Sequence, residues 1–355
     1  MAVDVEELSS YTQELRKKHN LSGKAYKKLM PNLHDKKKYV LHYRNLKFYM
    51  ALGLQVTKIY RGVEFHQSFW LRQYISMNTE RRKTARNSFE KDFFKLMNNS
   101  IFGKTMENVR GRKNIELVHT EKRMKKVAAK PNFASFTIFN KDLVAAHCLK
   151  TTIELNKPIF VGFAILDLSK ILMYDFHYGY IKHKYGNDVQ LCFTDTDSLL
   201  YDVKTEDIYS DMKEDCNLFD FSDYPEDHPL HSTTNKKVLG KMKDETAGVP
   251  IKEFVGLRSK MYSLLVGDKE KKTAKGIKKS VIRKELSHAA YRDVLLQEEV
   301  TRSTMNLIRS SRHKLFSITC NKLALSSYDD KRYVLEDKYS TRAHGHYLNH
   351  LELLM

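Results

Sequence analysis

One short stretch of the sequence has the residue types and spacing to hold a cation. Residues 191–203 read Leu-Cys-Phe-Thr-Asp-Thr-Asp-Ser-Leu-Leu-Tyr-Asp-Val, with Asp195 and Asp197 on either side of Thr196 and an apolar run on each flank. Residues two apart on extended backbone point to the same side. Two carboxylates held that close repel each other unless a cation neutralises them, and an oxygen-only ligand set favours a hard ion such as magnesium, with manganese as a substitute. To place the pair, runs 189–194 and 198–203 must pair as strands with the acidic triplet at the tip, and their β-branched and aromatic content suits a hairpin. A plain polar turn has the same appearance, so other residues must decide between the two.

A second group lies earlier. Lys91, Lys95, Asn99 and Phe102 recur at helical spacing and share one face. Two ammonium groups suit a triphosphate, and an aromatic ring next to Gly103 offers a flat surface for a base or sugar. An amphipathic helix with an exposed lysine stripe is the plain alternative. Asn87 and Glu90 stand at capping-box spacing and predict a helix over 89–109. The preceding segment 70–86 reads as a helix with a basic end (Arg81, Arg82, Lys83, Arg86), so the two form an antiparallel pair.

The remaining patterns predict a mixed α+β chain. Helices are expected over 8–18, 46–54 and 166–182, the last feeding the acidic hairpin, and strands over 39–43, 115–119, 136–139, 151–155, 237–243 and 254–266. Residues 206–229, rich in acidic residues and proline, read as an exposed helix end and loop. From Lys275 to about residue 312 the chain reads as mainly helical and basic, with a less regular tail.

At 355 residues the chain can bury a sizeable core. Lys and Arg number 62 against 43 Asp and Glu, a formal charge of +19, which points to a polyanionic partner and to nucleic acid before membrane. No apolar run reaches the length of a membrane span, and the N-terminus lacks the basic-then-apolar order of a secretory signal, so an intracellular protein is expected. The 4 cysteines are scattered and imply neither a metal cluster nor a disulfide framework. His344, His346 and His350 lack the companions of a zinc site.

Taken in order, Lys95-Leu-Met-Asn-Asn-Ser-Ile-Phe-Gly103 followed by the Asp195-Thr-Asp-Ser hairpin resembles family B DNA polymerases. A third family element follows, because Lys260-Met261-Tyr262 looks like the Lys-X-Tyr motif near the primer terminus. The wording around these motifs, including 91–108 and 166–170, looks most like the protein-primed branch of Polinton (Maverick) elements and related DNA viruses. The resemblance runs from about Lys37 to His346.

It implies a right-hand polymerase fragment: an N-terminal segment leading from the palm (1–60), a fingers helix pair (61–110), an antiparallel palm sheet (111–266, with a candidate insertion at 112–155), and a mainly helical thumb with a C-terminal tail (267–355). By the same resemblance Asp197 is the main metal ligand and Asp195 assists. Lys83, Lys91 and Lys95 contact nucleotide phosphates, while Asn99, Phe102 and Gly103 form the floor under the nascent base pair. Lys260 and Tyr262 grip the primer, and Lys275, Lys278 and Lys279 contact DNA. The implied partners are primer–template DNA, a deoxynucleoside triphosphate and a terminal protein as primer. The implied cofactor is a pair of magnesium ions, with manganese as an alternative.

The sequence departs from the family at one important point. The family's earlier metal-binding aspartate, in motifs such as Asp-X-X-Ser-Leu-Tyr-Pro, has no counterpart, and the exonuclease motifs are missing as well. The chain therefore reads as the C-terminal part of such an enzyme, with little or no polymerisation expected from it alone. A non-catalytic DNA-binding remnant or accessory protein derived from such an enzyme is the alternative. Residues 269–279 read equally as a nuclear-targeting patch or as DNA contacts.

Overall fold

The computed structural model describes residues 8–20, 33–311 and 314–351. The expectations that fall on residues 1–7 and on Arg312 lie outside them. The chain is α+β, and every sheet whose register is described is antiparallel. It divides into two units: the first comprises residues 1–40, 181–307 and 319–355, the second residues 41–180 and 308–318. No helix among the described residues is long and apolar enough to cross a membrane.

In the first unit α1 (Ser10–Lys18) starts at Ser9, whose side chain accepts the Thr12 N–H, and it ends in Arg16, Lys17 and Lys18, a composition that suits both helix ends.

The second unit begins with α2 (Tyr43–Ala51). Residues 39–42, expected as a strand, are irregular instead. The cause is local: the Asp167 carboxylate accepts the His42 N–H at 2.6 Å and the His42 ring accepts the Arg44 N–H, so the chain is capped into a helix where a strand would have continued. The expected antiparallel pair is α3 (Arg72–Lys83) and α4 (Ser88–Thr105). Asn87 accepts the Glu90 N–H at 2.9 Å, and the Glu90 carboxylate accepts the Arg86 N–H at 2.9 Å. Between the helices the buried Asn78 donates to Asn98 at 3.0 Å.

Next comes a small sheet, β1 (Lys113–Val118), β2 (Phe133–Asn140) and β3 (Leu143–Leu149), in the order β1-β3-β2. Its core of Val118, Ala146 and Cys148 packs on Val127 of α5 (Glu121–Ala128). The strand expected at 151–155 is irregular, and the neighbouring β3 is the strand that forms. The apolar helix α6 (Ile159–Tyr174) starts earlier than its pattern suggested and widens into a π-helix over Asp175–Ile181.

Returning to the first unit, α7 (Lys182–Tyr185) leads into β4 (Val189–Thr194) and β5 (Leu199–Val203), the expected hairpin. After α8 (Ile208–Glu214) the segment expected to be an exposed loop instead buries Phe219, Phe221 and Tyr224. It also organises residues 237–243, expected as a strand. Burial works against ionisation of Asp220, but N–H donation from Lys237 at 2.9 Å and Ser222 at 3.0 Å outweighs it, and its carboxyl sits below the usual range. One parallel bridge, Phe219 to Met242, is the strand pairing these residues make.

A three-stranded sheet follows, β6 (Ile251–Arg258), β7 (Met261–Val266) and β8 (Lys269–Ala274), in that order. It is covered by α9 (Lys279–Glu285) and α10 (His288–Gln297) around a core that includes Val255, Met261, Leu286, Tyr291 and Leu325. The expectation of a mainly helical, basic region up to residue 312 is then overturned: β9 (Val300–Ser311) pairs with β10 (Lys314–Ser326) as a long two-stranded ribbon. Ser303 and Met305 are buried while Arg302, Thr304 and Asn306 are exposed, a period of two that the basic composition had masked.

A candidate metal and nucleic-acid site

The acidic hairpin carries two backbone irregularities, both next to its carboxylates. Pairing skips a residue between Leu191 and Phe193, so Cys192 is a bulge, and a bulge re-aims the side chains beyond it. Burial and the nearby Asp202 push the Cys192 thiol up, which keeps it protonated and unreactive. At the tip the Asp195 N–H donates to the Ser198 carbonyl at 3.0 Å and the Asp197 N–H turns back to the Asp195 carbonyl at 2.8 Å. Thr196, between the two aspartates, has φ +64°. A β-branched residue in this region is strained, and such strain concentrates at functional turns.

We expect Thr196→Gly to raise the unfolding free energy, and with it the denaturation midpoint, by a net of about 0.5–1 kcal/mol once the greater freedom of glycine in the unfolded chain is subtracted. A lowered midpoint would show that the Thr196 hydroxyl, 3.5 Å from the Asp195 carboxylate, holds the turn instead.

A second strained turn meets the first. Lys260, between β6 and β7, has φ +61°, and its ammonium lies 3.1 Å from the Asp195 carboxylate. Phe193 of the hairpin stacks on Tyr262, with centroids 4.6 Å apart and planes at 27°, and Phe254 adjoins both rings. The Lys260 carbonyl accepts the Lys275 N–H at 3.0 Å, which brings Lys275 to the same turn. Met261, between Lys260 and Tyr262, is 1 % exposed and anchors the triplet in the core. Lys279 opens α9, and Lys278, its N-cap, reaches the Asn306 carbonyl at 3.4 Å.

Asp195, Asp197, Lys260, Tyr262 and Lys275 therefore form one cluster in the first unit. Asp195 shares its charge with Lys260, and Asp197 is the exposed carboxylate. Two aspartate carboxylates fit one magnesium ion of the kind that keeps waters and takes substrate phosphates as its other ligands. No group of three or more His, Cys, Asp or Glu among the described residues is arranged to hold a metal, so the pair does not by itself build a two-ion site.

The remaining predicted residues belong to the second unit. Lys91, Lys95 and Asn99 are exposed along α4, Phe102 is half-buried, and a side chain added at Gly103 would meet open space. Lys91 and Lys95 make no ion pair among the described residues, whereas Lys83 is paired with Glu80 at 3.0 Å. At the C-terminal end of α4 a cavity of about 330 Å³ is lined by Ser100, Ile101, Lys104, Thr105, Lys157 and Pro158.

Beside it Glu107 gathers Arg112, Lys104 and Lys157. The paired N–H donors of Arg112, at 3.0 and 2.7 Å, hold the Glu107 carboxyl down to about 2. A depressed carboxylate stabilises the fold fully above its unfolded value of about 4.5, and that contribution is lost as the pH falls through about 2. Because the Glu107 side chain is only partly buried, at 26 % exposure, the effect is weakened by salt. An NMR titration should place the Glu107 midpoint near 2, and Arg112→Ala should move it back towards 4.5; a midpoint unmoved by that change would remove Arg112 as the cause.

Sequence reasoning missed the Phe193–Phe254–Tyr262 ring cluster and the β9–β10 ribbon. Alternating exposure could have signalled the ribbon, but the rings meet across 60 residues of chain that no local pattern spans. By fold and site this is an α+β chain with a strained acid-and-lysine turn cluster and a separate lysine-faced helix. Comparison of the chain with protein-family models, with curated proteins and with solved structures gives no match.

Proposed function

We propose that this chain is a part of a template-directed DNA polymerase of family B, of the protein-primed kind, and that its first role is to bind primer–template DNA and a deoxynucleoside triphosphate. One observation carries the reading: Asp195 contacts Lys260 while Phe193 stacks on Tyr262, so two motifs remote in sequence form one cluster. An unrelated chain with chance motifs would have no reason to pair them.

In this reading Asp197, with Asp195, would hold a magnesium ion, whose contribution would be charge neutralisation. On the second unit Lys95 and Lys91, assisted by Lys83, offer cations to a triphosphate, and Asn99, Phe102 and Gly103 offer a flat surface to a base. Lys260 and Tyr262 orient the primer end, whose 3′-hydroxyl forms a bond to the α-phosphate as pyrophosphate leaves. Such chemistry rests on positioning and charge and needs no covalent nucleophile on the protein. Lys275, Lys278, Lys279 and the basic β9–β10 ribbon contact DNA phosphates without reading sequence; a two-stranded ribbon has the dimensions of the major groove.

A second reading, a non-catalytic DNA-binding protein derived from such a polymerase, is favoured by the shared charge of Asp195 and by the lack of a third metal-ligating carboxylate beside it among the described residues.

The purified chain should bind primer–template DNA with an affinity that falls linearly with salt on logarithmic axes, and Lys275→Ala or Lys278→Ala should each reduce that slope by about 1. Failure to bind DNA at low salt would overturn both readings. Primer extension with magnesium should stay at background; robust extension that Asp197→Ala abolishes would show that the chain builds a complete active site and would end the second reading.

A further inference from the structure

Residues 54–69 of the second unit run without a turn or bend, and every one of them is exposed. At about 3.3 Å per residue such a segment spans about 50 Å. The composition is that of a strand, and the apolar side chains are largely in solvent: Ile59 is 74 % exposed, Val63 66 % and Phe69 83 %. Between Leu54, which donates to Tyr49, and Phe69, which accepts from Arg72, no backbone N–H or carbonyl pairs with another described residue. One ring is seated: Phe65 stacks on Phe160 of α6 at 4.6 Å, and Phe160 is itself 46 % exposed.

A row of unpaired donors and acceptors on extended apolar backbone is a template for another strand. The free backbone groups specify a polypeptide, because only a second backbone satisfies alternating N–H and carbonyl groups along that length. The charge specifies its character: Lys58 and Arg61 against the one carboxylate of Glu64 leave the segment net positive, and the whole chain carries +19, so a second copy would meet like charge. We propose that residues 54–69 are a strand-acceptor site for another polypeptide, whose strand alternates apolar and acidic residues and covers Ile59, Val63, Phe65 and Phe160.

The test uses the full chain and a synthetic peptide alternating valine and glutamate, with a valine–lysine peptide as control. The acidic peptide should slow amide exchange across 54–69 by about tenfold or more and shift to the blue the emission of Trp70, the single tryptophan at the segment's end. Val63→Pro, which removes a ladder donor, should abolish both effects and leave the far-ultraviolet circular dichroism unchanged. Protection by neither peptide, or by both equally, would overturn the proposal. So would protection of 54–69 without peptide that rises with protein concentration alongside a dimer mass, or protection by duplex DNA in place of peptide.

Discussion

Met261→Ala should lower the unfolding free energy of the first unit by about 2–5 kcal/mol and weaken DNA binding in the same protein. Met261 is 1 % exposed and lies in the core with Val255, Leu286, Tyr291 and Leu325. Truncating it leaves a cavity beneath the turn that presents Lys260 and Tyr262, so the strand carrying them loses its anchor. Met261→Leu conserves volume and should cost less than about 1.5 kcal/mol, which separates a packing role from a chemical one. Denaturant titration followed by circular dichroism reads the stability, and DNA binding at fixed salt, below the transition, reads the consequence for the site. If Met261→Ala stays folded and binds DNA as before, the triplet does not depend on its buried residue for positioning.

The second unit has a comparable weak point in Asp167, which is 3 % exposed on α6. Its carboxylate accepts the His42 N–H at 2.6 Å and the Lys170 ammonium at 3.2 Å, while its carbonyl accepts from the Asn45 amide at 3.3 Å. One negative group thus starts α2 and fixes it to α6. Asp167→Ala should cost about 2–4 kcal/mol, because a buried, charge-assisted bond is lost and the His42 donor is left without its partner. Lys170 adds little to that figure, since its side chain is 45 % exposed and returns to water. Asp167→Asn keeps an acceptor and should lose only about half as much. Trp70 belongs to the same unit and provides a fluorescence probe of its unfolding. Equal losses in the two variants would show that the charge, rather than the hydrogen-bond acceptor, holds α2.

The parts of the fold were not equally legible in the sequence. The hairpin at 189–203 was legible, because strand-forming runs on both sides of a turn form a local pattern, and so was the Asn87–Glu90 cap, whose partners stand only three positions apart. Strand β3, Leu-Val-Ala-Ala-His-Cys-Leu, was hidden by alanines that favour no strand; its place comes from pairing on both sides with β1 and β2. The ribbon β9–β10 was hidden by its own basic residues. The segment 219–243 misled for a different reason, since its charged residues look solvated whereas Asp220 is buried and accepts the Ser222 and Lys237 N–H groups, and Lys243 pairs with Asp220 and Asp223. The site followed the same division. Asp195 and Asp197 could be picked out by type and spacing, whereas the pairing with Lys260 and the stacking of Phe193 on Tyr262 depend on sheet packing between distant segments.

The bulge at Cys192 sets the parity of the acidic hairpin. Leu191 pairs with Tyr201 and Phe193 with Leu200, so the ladder absorbs one extra residue, and Phe193 shares the face of Leu200 although it lies an even number of residues from Leu191. Deleting Cys192 would leave both pairs, and the facing of Phe193, in place. A regular ladder that kept all the residues of β4 would put Phe193 on the face of Leu191 and away from Tyr262, so the hairpin encodes its aim in a count as well as in residue identity.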